Sequence, residues 1–370
     1  MKSSAKKTSV QKPAPRKVTL NDVGKLAGVS PATVSMILSG REGVSFSDET
    51  VAAVRAAAAS LRYETAADRR MARLVRETIA PGNPMILIVC PNVLNPYYNT
   101  LVQAIQQSAA RENCDSCVYI TYRSLEGELA ALRLAKNAGF AGIVFTMIAH
   151  PEEIIPRIGP RMPVVVISDR HAALDVDTVE LNNYDAGSQV AVHMHELGHR
   201  RIAYISTSLD RANSARTQRL KGLRETFLAL DPGGEVVVKS RDVSAEMERD
   251  DMEIEYSVGH ELARKCFADK KITALVAIND MVACGAIDAI REAGFRVPED
   301  YSVCGFDNIL PSRFAGVSLT TVEHYMRDKG RNAFDILYAK MRGGASDRNI
   351  TRVEFKYRLI ARASTAPPRR

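Results

Sequence analysis

"GVSPATVSMILSG", residues 28–40, decides how the rest of the chain is read. Gly28-Val29-Ser30 breaks one helix and caps the next, and Pro31 fits the first helical position, where a missing N–H costs nothing. Upstream, "TLNDVGKLAG" starts at Thr19 as an N-cap and places Leu20, Val23, Leu26 and Ala27 on one helical face. Downstream, a third helix starts at Ser47, with Asp48 and Glu49 at its positive end, and runs through "VAAVRAAAASLRY". Three short helices with a tight turn after the first make a helix-turn-helix unit over residues 18–63. Its core is expected where Val34, Ile37 and Leu38 meet Val23 and Leu26.

A helix that reads the major groove needs small side chains in its leading turn and a few polar ones for base edges. Ser30, Pro31, Ala32, Thr33 and Ser35 meet that need, with Met36 and Ser39 further along. The Thr19 and Ser30 hydroxyls and the backbone N–H groups at the helix starts suit phosphates. Any small three-helix bundle shows this pattern, so charge has to decide. Residues 1–76 hold 14 Lys and Arg against 6 Asp and Glu, while the remaining residues hold 36 against 37. Polyanion binding is thus confined to the first fifth of the chain. "ETAADRRMARLVRE", 64–77, continues the basic zone as a helix-capable segment carrying Arg69, Arg70 and Arg73. "APGNP", 80–84, then stops any helix.

From Met85 on, short apolar runs alternate with amphipathic ones. Strands are expected at 85–90, 116–122, 141–146, 163–168, 201–206, 235–239, 273–278 and 301–306. Helix-length separations between most of them imply parallel sheets flanked by helices. So many strands suggest two sheet domains with a cleft between them. No G-x-G-x-x-G follows a strand and no G-x-x-x-x-G-K-[ST] is present, so the usual dinucleotide and triphosphate cradles are missing. No nucleophile elbow, paired-carboxylate motif or metal spacing supports an enzyme, and no cofactor is expected. The six cysteines are scattered; "CDSC", 114–117, reads as the end of a helix and the start of a strand. In "HMHELGH", His193 and His195 project about 200° apart on a helix, and Gly198 ends that helix before His199. No apolar run reaches the roughly 18–20 residues of a membrane span. The basic start lacks the apolar core of a secretory signal. A cytoplasmic protein is expected, nucleoid-associated when on DNA, with residues 1–17 and 361–370 disordered.

"VTLNDVGKLAGVSPATVSMILSG…FSDETVAAVRAAAASLRY", 18–63, is similar to the DNA-binding headpiece of the lactose-repressor family of bacterial regulators. The resemblance runs on through "NPYY" (95–98), "LNNYDAGSQVAVHMHELGHRRIAYI" (181–205), "RLKGL" (219–223), "INDMVACGAIDAIREAGFRVPEDYSVCGFDN" (278–308) and "LTTV" (319–322). It implies a headpiece, a hinge helix and linker at 64–84, and a core at 85–360. That core would be a two-subdomain α/β body like that of type I periplasmic sugar-binding proteins. Its subdomains would cover about 85–181 and 182–309, with the chain re-crossing near 310–330. It also implies a homodimer that binds double-stranded operator DNA, acting as a repressor whose affinity is set by a carbohydrate-like effector. With no leucine-heptad tail after 360, a tetramer built on a C-terminal coiled coil is not expected. The alternatives are a solute-binding protein or an effector sensor with weak DNA specificity. Matching motifs carry the effector role to Tyr97, Tyr98, Arg219, Asn279 and Asp307, and more weakly to Asp169.

Three departures modify that picture. Met36 stands where many relatives have a guanine-reading arginine, so an apolar contact is expected there. The hinge lacks the family's Y-x-P-N-x-x-A-R-x-L: Ala72 replaces its wedge leucine, which leaves Met71 or Leu74 as substitutes, or a less bent operator held by Arg69, Arg70 and Arg73. "SAEMERDDMEIEYSVGHEL", 244–262, is acidic and long. It puts Ile254 near the family's cleft aromatic, with Tyr256 as the residue that could swing in.

Overall fold

The structure, a computed structural model, describes residues 18–39, 45–61, 63–78, 82–159, 162–170, 174–210, 214–343 and 349–369. The basic arm 1–17 and the start of the 80–84 linker lie outside the described residues. The chain forms two compact units that divide after Val75.

The first unit contains α1 (Leu20–Ala27), α2 (Pro31–Ser39), α3 (Asp48–Ser60) and most of α4 (Ala66–Thr78). Local chemistry explains each start. Thr19 and Asp22 form a capping box on α1, the Asp22 N–H donating to Thr19 Oγ1 and the Thr19 N–H to the Asp22 carboxylate. Gly28, with φ of 70°, closes that helix in a left-handed conformation that L side chains rarely adopt. The Thr33 N–H donates to Ser30 Oγ at 3.1 Å, and Thr50 does the same for Ser47. Thr65 and Asp68 make a second capping box at the start of α4. Val23, Val34, Ile37, Val54, Ala57 and Ala58 form the core of the unit. Leu26 is not part of it; this side chain is 57% exposed. The buried face of α1 is centred on Val23 and Gly24 because α1 packs closely on the turn. A Cβ at Gly24 would lie 2.7 Å from the Val29 carbonyl, and Leu26 is rotated off that face.

The second unit holds two sheets. The first is built from β1 (Met85–Cys90), α5 (Pro96–Arg111), β2 (Asp115–Ile120), α6 (Leu125–Ala138), β3 (Gly142–Phe145), α7 (Pro151–Ile154), β4 (Val164–Asp169) and β5 (Asp177–Leu181). The chain then enters the second sheet with α8 (Asn183–Glu196), β6 (Arg201–Ser206), α9 (Ser214–Leu230), β7 (Glu235–Ser240), α10 (Ala245–Asp250), α11 (Ile254–Cys266), β8 (Ala274–Ala277), α12 (Asp280–Glu292), β9 (Ser302–Asp307) and β10 (Thr320–Glu323). It returns to the first through α13 (Met326–Gly343) and β11 (Arg352–Phe355), and ends in the second with β12 (Arg358–Ile360). The strand orders are β11-β5-β4-β3-β1-β2 and β12-β10-β9-β8-β6-β7. All pairs are parallel except β10 with β12.

All eight expected strands are present within a residue or two. The chain returns to the first sheet after Glu323, inside the 310–330 stretch where a re-crossing is expected, and it crosses once more after Phe355, because β11 pairs with β5 and β12 with β10. The disordered tail is corrected. Opposite β9, β10 starts level with Cys304, which leaves the beginning of β9 without a neighbour on that side. Residues 361–369 take that place: the Val303 N–H donates to Ser364 O at 2.7 Å and the Ala366 N–H to Ser302 Oγ at 3.0 Å.

Candidate effector cavity and DNA-reading helices

In the second unit, a cavity of about 660 Å³ opens at the carboxyl ends of the strands of both sheets, where open α/β sheets bind ligands. Tyr97, Tyr98, Asp169, Arg219, Asn279 and Asp307 all line it. Their placement has local causes. Asn95 caps α5 through the Tyr97 N–H, with Pro96 at the first position, so both tyrosines sit on the first turn facing the cavity. Asn279 caps α12 through the Val282 N–H at 2.9 Å. Arg219 depends on two glycines: a Cβ at Gly187 would lie 2.0 Å from the Arg219 carbonyl, and one at Gly222 would lie 1.9 Å from Tyr184 O. Only bare backbone lets α8 and α9 cross this closely.

Arg219 is the centre of the polar wall. Its Nε donates to Asn183 Oδ1 at 2.9 Å and its Nη1 to Ile278 O at 2.5 Å, while Nη2 lies 3.6 Å from Asp307 Oδ1. The guanidinium also sits 4.8 Å over the Phe306 ring. Asn183 donates from Nδ2 to the Asp169 carboxylate at 2.6 Å, so a continuous chain of contacts joins the end of β4 to the end of β9. Asp307 holds φ at 113°, a conformation rare for L side chains. Burial raises its carboxyl above the usual range, opposed by Arg219. Behind the cavity wall, burial pushes Lys329 down to about 7, against the upward pull of Asp307, and its Nζ donates to Tyr97 Oη at 3.0 Å. The two tyrosines meet edge to face at 5.0 Å.

Sequence reasoning missed Asn183, Arg123, Arg216, Glu255 and Lys329. Asn183 stood in view within "LNNYD"; Lys329 gave no signal, because a lysine on an amphipathic helix normally reads as solvated. The acidic insertion behaves differently from expectation. Ile254 is packed in the second core, and Tyr256 donates its hydroxyl to Asp288 at 2.8 Å, away from the cavity. Glu255, which lies between them in sequence, lines the cavity instead and accepts from Asn95 at 2.6 Å and Asn279 at 3.0 Å. Glu248 is buried and accepts from both Asn92 and Arg123.

In the first unit, Ser30, Pro31, Ala32, Ser35 and Ser39 are exposed along α2, while Thr33 and Met36 are half-buried. The hydroxyls of Ser30 and Thr19 are already engaged in their caps. On α4, Arg69, Arg70 and Arg73 are exposed, as are Met71 at 53% and Leu74 at 44%, whereas Ala72 is buried.

A helix-turn-helix unit followed in the chain by two parallel sheets around a polar cavity defines a class: DNA-binding transcriptional regulators with an effector-binding core. Residues 19–66 match the family model described as bacterial regulatory proteins, lacI family, and residues 191–365 match a periplasmic binding protein-like domain. The chain is 27% identical to the HTH-type transcriptional regulator DegA of Bacillus subtilis (strain 168), over 95% of this chain and 99% of that protein. Among solved structures it resembles a transcriptional regulator CelR–cellobiose complex (TM-score 0.64, 23% identity, 94% of this chain and 100% of that one). It also resembles the lac repressor dimer bound to operator and the anti-inducer ONPF (TM-score 0.61, 22% identity, 95% and 100%). Residues 19–66 thus carry a lacI-family regulator domain, and that headpiece sets the chain apart from solute-binding proteins of similar core.

Proposed function

We propose that this regulator binds operator DNA as a homodimer and represses transcription from it, with its DNA affinity set by a small polyhydroxylated effector in the cavity. The carrying observation is the convergence of Tyr97, Tyr98, Asp169, Arg219, Asn279 and Asp307 on one cavity of about 660 Å³, within the size range of small-molecule sites. Arginine, aspartate and asparagine supply paired donors and acceptors for hydroxyls, and the tyrosines supply apolar edges. Cellobiose in the CelR complex is a ligand of this chemical kind. We read α2 as the major-groove helix, acting through Ser30, Pro31, Ala32, Thr33, Ser35, Met36 and Ser39, with Thr19 and the arginines of α4 on the backbone or minor groove; the exposure of Ser30, Pro31, Ala32, Ser35 and Ser39 supports this.

The test combines DNA binding with ligand screening. Thermal shifts of the full chain against sugars and nucleobases identify the effector, since a ligand of the folded state raises the melting temperature by mass action. Arg219→Ala should abolish that shift and leave operator affinity without effector intact. An Arg219→Ala protein that still answers the effector fully would refute the assignment. Sedimentation of the free protein and of its operator complex reads the dimer.

A further inference from the structure

At one end of the cavity two guanidinium groups, Arg123 and Arg216, come from opposite subdomains. Arg123 follows β2, and Arg216 lies in the first turn of α9, whose N-terminal residues Ser214 and Ala215 also line the cavity. A helix N-terminus adds positive potential there. These donors outnumber their acceptors. Among the described residues, the nearest acceptors of Arg216 are Ser208 O at 3.5 Å and Glu255 Oε1 at 3.6 Å, both long for a charge-assisted bond. Arg123 is tied to Glu248 and lies 3.5 Å from Tyr98 Oη, but its Nε is buried without a partner. Glu255 offers Arg216 only this one long contact through Oε1, because its other oxygen accepts from Asn95 and Asn279. Held only by long contacts, Arg216 leaves this end of the cavity suited to a group made only of acceptors.

We infer that the effector is an anion: a polyhydroxylated acid whose carboxylate or phosphate sits between Arg216 and Arg123 at the start of α9, while its hydroxyls face Asp307, Asn279 and Arg219. The inference rests on the effector reading above and narrows it. It also accounts for the missing cleft aromatic: a charged end held by forked donors does not need a stacking ring. Glu255 then positions Arg216 and limits the pocket to one anionic group.

Isothermal titration and thermal shift on the full chain would use matched pairs: D-galacturonate with D-galactose, D-gluconate with D-glucitol, and D-glucose 6-phosphate with D-glucose, plus inorganic phosphate. One acid should bind at least about tenfold tighter than its neutral partner, and the carboxylate and phosphate arms identify the anionic group. Arg216→Gln should weaken the acid by roughly 10- to 100-fold, the loss expected for a charge-assisted hydrogen bond, with little effect on any neutral sugar. Arg216→Lys, which keeps the charge without the fork, should fall between. Apo melting temperatures of both variants establish that they fold. Equal or tighter binding of the neutral partner would overturn the inference, as would an acid preference that survives Arg216→Gln. Binding of a neutral sugar or nucleobase alone, lost on Arg219→Ala, would also sink the anion while leaving the effector reading intact. If no probe of any class binds, both readings fall.

Discussion

His199 shows what a buried titratable residue contributes outside the cavity. It stands just past Gly198, where α8 has ended, and is only 1% exposed. Its Nδ1 lies 2.8 Å from Thr273 Oγ1, and its Nε2 lies 3.1 Å from Ala366 O. A neutral ring that donates from Nε2 and accepts at Nδ1 satisfies both. Burial lowers its pKa from 6.5 to about 4. Between those values the unfolded chain binds a proton that the folded one refuses, so stability rises with pH across that window and falls as the solution is acidified. His199 should raise the melting temperature between pH 4 and 6.5, opposed over the same range by the raised carboxyl of Asp307, and His199→Gln should remove this rising contribution while lowering the plateau. An unchanged slope would refute the assignment. Residues of this sort were half legible: the glycine stop before His199 was readable, but its partners come from residues far apart in the chain. The same applies to Arg219, whose motif was plain while its contact with Asn183 depended on how two helices cross.

Helices and strands were more legible than their contacts. Apolar runs announced eight strands; β1, β3, β4, β6, β8 and β9 are buried on both faces, as in parallel sheets, while β2 and β7 stand at sheet edges. β5, β10, β11 and β12 carry charged residues at alternate or flanking positions and lack that signature, so they escaped notice. The α8–α9 crossing is the element on which the cavity depends most. Gly222→Ala would drive a methyl into the Tyr184 carbonyl, backbone that cannot swing aside. It should destabilise the core by about 1–3 kcal/mol, as overpacking does, and weaken effector binding by displacing Arg219; chemical denaturation and titration check both. On α4, the buried Ala72 rules itself out as an intercalating wedge, and the exposed Met71 and Leu74 sit three residues apart on one face. If they enter the minor groove, Met71→Ala with Leu74→Ala should straighten the operator in a gel-shift bending assay and lower affinity by a few kcal/mol. A bend that survives the double substitution leaves the arginines alone in that role.

For the whole molecule, charge was the clearest feature in the sequence. The excess of basic residues before residue 77 predicts operator binding that weakens steeply with salt. Six to ten phosphate contacts would cost about 10³–10⁵ in affinity between roughly 50 and 200 mM. Flat dependence in a filter-binding titration would contradict phosphate contact on that scale. Only one return of the chain was expected, near 310–330; the second, from β11 to β12, was not legible, because it depends on which short strand pairs with which neighbour. It makes the last residues structural. Removing residues after Ile360 would leave the Val303 N–H, the Thr320 N–H and His199 without Ser364 and Ala366, and should lower the melting temperature by several degrees.

Three crossings between the sheets have a further consequence, felt during synthesis. When the ribosome has made residue 310, neither sheet is complete. The first still lacks β11 and the α13 side chains Phe334 and Leu337 of its core, and the second lacks β10 and β12. Most domains can fold as they emerge, but here the final strand of each sheet lies within the last twenty residues. The two halves of the core therefore finish folding together, once residues 352–360 have left the ribosome. A nascent chain stalled short of its end would present two unpaired sheet edges to whatever chaperone or protease is nearby.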